Sequence, residues 1–596
     1  MSAGVHPAWL GSAVLGDDVV LTRDPRCGLG AEAYTIARSG GVTTVVAEDE
    51  AGLMYGSFHA LRLQDDLEAQ THRPFVARRM MQHWDNVFVH PVMGQVERGY
   101  SGGSLFWEDG ALTDDPDRVG DYARLLASVG INSVSLNNVN VHAGEARLLT
   151  DRIGEVAVLA ARFRQYHIRV YLSVSFAAPM LVGGLDTADP ADERVQAWWA
   201  TATQRVYAAI PDFGGYIVKA DSEGQPGPFA YGRTHAEGAN LLAAALAPFG
   251  GEVYWRAFVY NHRQDWRDRT TDRARAAYDH FTPLDGEFAP NVILQVKHGP
   301  IDFQPREPVS PVLLSMPATR LAVEFQATQE YTGQQRHVCY LPPMWSAVLS
   351  TVADRVDAVV TVSNAGDDRY WTNHPLAQAN LYAAGRLAWD PTLDPTALLD
   401  EWIARTFPPA AAGTVHELMR DSWAVYERYT SPLGVGFMVH PGDHYGPDVD
   451  GYEYSRWGTY HFADRDGVGV DRTTATGTGY TAQYPEPLAS QYESRATCPD
   501  ELLLFFHHVP YTHVLHSGVT VIQHIYDTHF AGAEAVSEMV SRWSDLPPSA
   551  VGEDLHARVS DRLREQHRSA LEWRDQINTY FYRKSGIPDT KARRIY

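Results

Sequence analysis

Cysteine is nearly missing from this chain: 596 residues carry three, Cys27, Cys339 and Cys498. They stand far apart and show no metal-ligand spacing, which excludes a disulfide scaffold and points to a reducing compartment. Positive charge is also short. Fifty Lys and Arg against 73 Asp and Glu leave a formal net charge of −23, so the basic footprint that nucleic acid or an anionic membrane requires is absent. No run reaches the ~18 consecutive apolar residues of a membrane span. The opening MSAGVHPAWLGSAVLGDDVV has neither a basic n-region nor a continuous apolar h-region. We therefore expect a soluble cytoplasmic protein with no nucleic-acid partner and no membrane partner.

What is present is alternation. Strand-like runs stand at MQHWDN (81–86), SVSLNNVN (133–140), VYLSVSF (170–176), GGYIVKADSEG (214–224), VYWRAFVY (253–260), VILQVKHG (292–299), LAVEFQATQEY (321–331) and AVVTVSN (358–364). Amphipathic helices separate them. In DDPDRVGDYARLLASVG, Asp115 caps, Pro116 suits the first turn, and Val119, Tyr122, Leu126 and Val129 share one face. Asp189 before Pro190 is expected to start another helix. Eightfold strand-helix alternation predicts an α/β fold, a closed parallel (β/α)8 TIM barrel over 81–395. A doubly wound open sheet is disfavoured because the first strand-to-helix turn carries no glycine-rich phosphate loop. Residues 1–80 read as a small α/β unit, with AYTIARSG and VTTVVAED as strands and EAGLMYGSFHALRLQDDLEAQ as a helix. Residues 396–596 read as mainly helical, with an aromatic, glycine-rich loop region over 446–487.

A parallel barrel works at the carboxyl ends of its strands, so the charges there are counted separately. Lys219, Asp221 and Glu223 share a parity on the fourth strand, and Glu324, Gln326, Thr328 and Glu330 share one on the seventh. Arg256 ends the fifth strand; Lys297 ends the sixth, ahead of a loop holding Asp302. His83, Trp84, Asp85 and Asn86 end the first, and Asn137, Asn138 and Asn140 the second. Clustered cations favour a carboxylate-bearing substrate, neighbouring carboxylates suggest acid/base work, and aromatics such as Trp84, Trp107, Trp255 and Tyr331 suit sugar faces. A uronic acid glycoside meets all three requirements. A metal is disfavoured because lysines accompany the carboxylates on strands four and six, and DRDGVGVD (464–471) lacks the bidentate Glu of a calcium loop. No metal and no cofactor are expected. The competing readings are a non-catalytic uronosyl-oligosaccharide binding protein and a metal-dependent uronate lyase or isomerase.

HWDN, ERGYSGGS, LNNVN, GGLDTADP, VKADSEGQPGP, VKHGPIDFQPREPVSP, QATQEY, GTGYTAQYPEP, LFFHHVPYTHVL and WRDQINTYFYRKSGIPD follow one another in this order. With them the sequence resembles the α-glucuronidases of glycoside hydrolase family 67 over nearly its whole length. The resemblance implies a three-domain inverting glycosidase that removes glucuronic acid, or its 4-O-methyl ether, α-1,2-linked to the terminal xylose of xylo-oligosaccharides. It implies Glu223 as general acid and Asp302 and Glu330 as candidate bases for the attacking water. Lys219, Arg256 and Lys297 would hold the uronate, and Trp84, Glu97, Arg98 and Asn138 complete the implied binding set. A homodimer through the C-terminal domain is implied as well. Inversion agrees with the residue types: a protonated carboxyl and an ionised carboxylate about 6.5–9.5 Å apart admit a water between them. Three departures from the family pattern stand out: a shorter N-terminal domain, a longer segment over 87–96, and Val519 where the pattern has lysine.

Overall fold

A computed structural model describes residues 14–63, 66–89, 98–258, 272–363, 365–452 and 460–595. In the N-terminal part, β1 (Val19–Arg23) runs parallel to β3 (Val42–Ala47), and β2 (Tyr34–Ser39) pairs antiparallel with β3 and with β4 (Leu67–His72). The helix Glu50–Ala60 packs on this sheet, its first turn capped by Asp49. The expected helix over 50–70 is thus too long. It stops at Ala60, and Leu67–Gln70 pair with β2, where cross-strand hydrogen bonding overrides local helical preference.

The barrel is closed and parallel. A short hairpin of β6 (Trp107–Glu108) and β7 (Ala111–Leu112) follows its first strand, β5 (Arg78–His83). The other staves are β8 (Ser133–Ser135), β9 (Arg169–Ser173), β10 (Gly215–Val218), β11 (Glu252–Arg256), β12 (Val292–Lys297), β13 (Leu321–Gln326) and β14 (Ala358–Ser363). Each pairs with its neighbour in sequence, and β14 returns to β5 with Ala358 opposite Arg78.

Period-two alternation sorts the side chains into two cores. Met80, Tyr171, Ile217, Tyr254, Ile293, Ala322, Ala358 and Val360 fill the barrel interior, while Tyr216 and Val218 join the larger cluster under the helices. Gly215 (φ 144°) is obligatory, because a Cβ there would lie 1.8 Å from the Glu252 carbonyl oxygen. Around the barrel, the helix Pro116–Ser128 starts as expected, with Asp115 accepting the Arg118 amide. The helix after 189 does not: it runs Glu193–Ala209 and is capped by Asp192, while Asp189 accepts the Ala191 amide in the preceding turn.

Beyond β14 the described chain is mainly helical. Its two longest helices, Val521–Asp545 and Glu553–Ser585, pack against each other, and the second ends at the left-handed cap Gly586.

Candidate active site

Where each strand stops determines what reaches the mouth. Lys219 follows β10 directly, and Arg256, Lys297 and Gln326 are the last residues of β11, β12 and β13. The expected continuous strand through Glu223 is corrected: β10 ends at Val218, and Asp221 (φ 52°) and Glu223 (φ 49°) have left-handed backbones. Such conformations cost non-glycine residues about 1–3 kcal/mol each and persist where the surroundings over-determine them. The hook returns Glu223 to Lys219, with which it forms an ion pair. Asp221 instead turns into its own loop and accepts the Phe229 amide at 3.1 Å. The other two candidate carboxylates sit beside the same feature: Phe303 (φ 54°) follows Asp302, and Gln329 (φ 63°) precedes Glu330. The seventh strand likewise stops short, at Gln326, so Glu330 belongs to a loop.

Beneath the mouth lies a polar layer. Arg256 donates bidentately to Glu324 (2.6 and 3.0 Å), and Gln295 donates to Glu324 and to Gln82 at 2.8 Å each. Arg256 is 3% exposed and Glu324 less, so this guanidinium is already offset by a carboxylate. Burial disfavours its charge, yet Glu324 outweighs that and raises its pKa. Removing one partner strands a buried charge. Arg256→Leu is therefore expected to cost about 3–5 kcal/mol, and Arg256→Leu/Glu324→Leu much less. Thermal midpoints of the two variants test this; equal midpoints would contradict the coupling.

The three candidate carboxylates are each gripped differently. Glu223, with its side chain 39% exposed, is the most open. Burial alone would raise its pKa, but the charges of Lys219 and Lys297, the Lys219 hydrogen bond and Arg256 pull it down to about 2. Lys219 also donates to Asn140 at 2.8 Å, and burial lowers its own pKa against the pull of Glu223. Asp302 pairs with Lys297 and accepts the Tyr331 hydroxyl at 3.0 Å. Its loop is tied by Glu307, which accepts the amides of Ile301, Asp302 and Gln304 at 2.7–2.9 Å. Glu330 is held by Gln326 twice, backbone amide to side-chain oxygen at 2.9 Å and side-chain amide to carboxylate at 3.1 Å. Its other oxygen meets His444 Nδ1 at 2.8 Å. Both Tyr331 and His444 feel the charges of Glu330, Asp302 and Glu223, so all three carboxylates lie within electrostatic reach of the same two side chains.

On the opposite side of the mouth, burial pushes the Asp85 carboxyl up to about 7, despite Arg98, the Ser104 hydroxyl and the Asn86 amide. The backbone carbonyl of Asp85 accepts the Asn138 amide at 2.7 Å, and Arg98 donates to the Asn86 carbonyl at 2.8 Å. Trp84, 9% exposed, follows β5 beside them. Glu97 and most of the long 87–96 segment lie outside the described residues. Two expected rim aromatics belong to the core instead. Trp255 is fully buried and donates to His235, and Trp107 is 2% exposed beneath Arg152. Phe258 takes the rim position, with Lys297 Nζ 3.5 Å from its ring centroid.

Sequence reasoning missed His444 and Phe258. The aromatic, glycine-rich region beginning at 446 was the nearest signal: this part of the chain reaches the mouth, where Phe437 and His444 pack against the Tyr331 ring at 4.4 and 4.8 Å. Among the described residues, no group of three or more His, Cys, Asp or Glu side chains is arranged to hold a metal ion.

The glycosyl hydrolase family 67 middle-domain model matches residues 61–386, and the family 67 C-terminus model matches 372–594. The chain is 44% identical over 593 aligned residues to alpha-glucuronidase A of Emericella nidulans, covering 94% of this chain and 69% of that protein. It is 43% identical to a probable alpha-glucuronidase A of Aspergillus flavus, covering 95% and 70%. Among solved structures, a glycoside hydrolase family 138 enzyme targeting pectin rhamnogalacturonan II superposes with a TM-score of 0.54 at 13% identity, over 96% of this chain and 82% of that one, a likeness of fold alone. With both family models covering the barrel and the helical region, the chain belongs to glycosyl hydrolase family 67.

Proposed function

We propose that this chain is an α-glucuronidase. It removes (4-O-methyl-)D-glucuronic acid α-1,2-linked to the terminal xylose of xylo-oligosaccharides, with inversion. The observation that carries the reading is the mouth itself, where two lysines each pair with a candidate catalytic carboxylate and a third carboxylate faces them. The names of the relatives support the α-glucuronidase part of the reading.

In this reading Lys219 and Lys297 receive the uronate carboxylate, Glu223 protonates the leaving xylose oxygen, and Asp302 and Glu330 orient and deprotonate water on the far face of the sugar. The two lysines keep Glu223 ionised in the free enzyme. An arriving uronate shares those lysines, removes the reason for that ionisation, and raises the Glu223 pKa toward the working range. Binding then takes up a proton, so uronate affinity rises as pH falls from neutrality, while the sugar acid is still ionised. Titration calorimetry in two buffers of different ionisation enthalpy should show uptake approaching about one proton per site at mildly acidic pH. Glu223→Gln should abolish it; uptake unchanged in that variant would contradict the mechanism.

The activity itself is tested with 4-O-methylglucuronosyl xylo-oligosaccharides, with and without EDTA. Release of the intact uronic acid at equal rates supports the reading. Binding without release, an unsaturated product, or loss of turnover with EDTA would overturn it.

A further inference from the structure

We propose that His444, which stands outside the barrel, is a positioning residue of this site: as the cation paired with Glu330 it holds that carboxylate and offsets its charge, so that an anionic sugar can enter. The inference rests on the uronate reading above.

Arg256 is committed to Glu324 below, Lys219 pairs with Glu223 and Lys297 with Asp302, and among the described residues His444 is the ion-pair partner of Glu330. Protonated, His444 offsets the Glu330 charge. Neutral, it leaves that charge facing the arriving sugar acid, and uronate binding is penalised.

The Glu330 carboxylate is 5% exposed and is held on one oxygen by Gln326, from its own loop base, and on the other by His444. The same imidazole lies against the Tyr331 ring, whose hydroxyl donates to Asp302, so it touches the supports of both candidate bases. The segment carrying it is fastened to the barrel loop: Gln334 donates to the Asp443 carbonyl, His337 meets the Tyr445 hydroxyl at 2.9 Å, and Arg336 lies 4.1 Å from the Tyr445 ring centroid. His444 has a left-handed backbone (φ 59°), a strained conformation retained at this contact.

The charged groups around it are carboxylates, or cations that already have a carboxylate partner. From the barrel side Glu330, Asp302 and Glu223 face it; on its own segment His440 pairs with Asp443; and Arg336 is engaged by Glu565 of the Glu553–Ser585 helix. Burial disfavours the imidazolium, but the Glu330 hydrogen bond and these carboxylates outweigh it and raise the His444 pKa.

The test compares glucuronate with glucose as ligands of the same site across pH, in Glu223→Gln, which removes the Glu223 proton uptake, and in Glu223→Gln/His444→Asn, whose asparagine amide retains a hydrogen bond to Glu330. In Glu223→Gln, affinity for glucuronate should fall on the alkaline side as His444 loses its proton, while glucose affinity stays flat. With His444→Asn added, glucuronate should bind about tenfold more weakly at mildly acidic pH, without the alkaline fall. An alkaline fall that persists in the double variant, or equal losses for both sugars, would overturn the proposal. A second readout needs no ligand: the His444 ring resonance should titrate above the ordinary histidine value, and Glu330→Gln should lower it. Titration at or below that value would also overturn the proposal. Failure of the wild type to bind glucuronate at all would instead sink the α-glucuronidase reading.

Discussion

Replacing Glu223 with glutamine lowers kcat on uronosyl xylo-oligosaccharides by ~10²–10⁴-fold while substrate binding is kept or strengthened. Two features of the mouth lead to this expectation. Glu223 is the most open of the three carboxylates, on a hooked loop that brings it to Lys219, where a leaving oxygen can reach it. In the free enzyme it also competes with the substrate carboxylate for Lys219 and Lys297, so a neutral glutamine leaves those cations available to the uronate. A substrate with a good leaving group, such as a nitrophenyl glycoside, needs no proton on departure. On it the variant should recover most of its rate. Weakened binding together with lost turnover, or no recovery on the activated substrate, would remove Glu223 from the acid role.

Asp302→Asn and Glu330→Gln are expected to lower turnover on the same ~10²–10⁴ scale, but with the opposite response to leaving group. Loss of the water-activating carboxylate is not relieved by an activated aglycone, because attack rather than departure is impaired. A small anionic nucleophile such as azide should restore turnover in whichever variant lacks the principal base. The two carboxylates differ in support. Asp302 is held by a lysine and a tyrosine hydroxyl, whereas Glu330 is held by an amide and a histidine. Asn at 302 therefore also frees Lys297, and its KM for uronate substrates should fall, whereas Gln at 330 leaves His444 unmatched. If both variants keep wild-type turnover, water is activated elsewhere, and Asp85, with its carboxyl pushed up to about 7 on the far side of the mouth, becomes the next carboxylate to test.

The barrel was legible because its strands are continuous apolar runs and its helices carry clean one-sided faces, as in Val119, Tyr122 and Leu126. The chemistry at the strand ends was legible by residue type. Its geometry was not. The parity argument for Lys219, Asp221 and Glu223 failed at Val218, because left-handed turns at Asp221 and Glu223 have little sequence signature beyond the glycine that follows. Arg256 reads from the sequence as a cation of the mouth, but its partner Glu324 lies two strands away around the barrel, and no local pattern reports that the pair is buried. Trp255 stands one residue before the end of its strand yet faces the helices, a one-residue difference in parity. His444 is 114 residues from Glu330, in a stretch without regular structure, and a contact of that kind exists only in the folded chain.

The most direct measurement is proton NMR of the sugar released in the first minutes of hydrolysis of a 4-O-methylglucuronosyl xylo-oligosaccharide. A water activated opposite Glu223 must attack the face away from the leaving xylose, so the β-anomer should appear first and the α-anomer only as mutarotation proceeds. The α-anomer as first product would contradict the assignment of proton donor and water-activating carboxylates to opposite sides of the sugar.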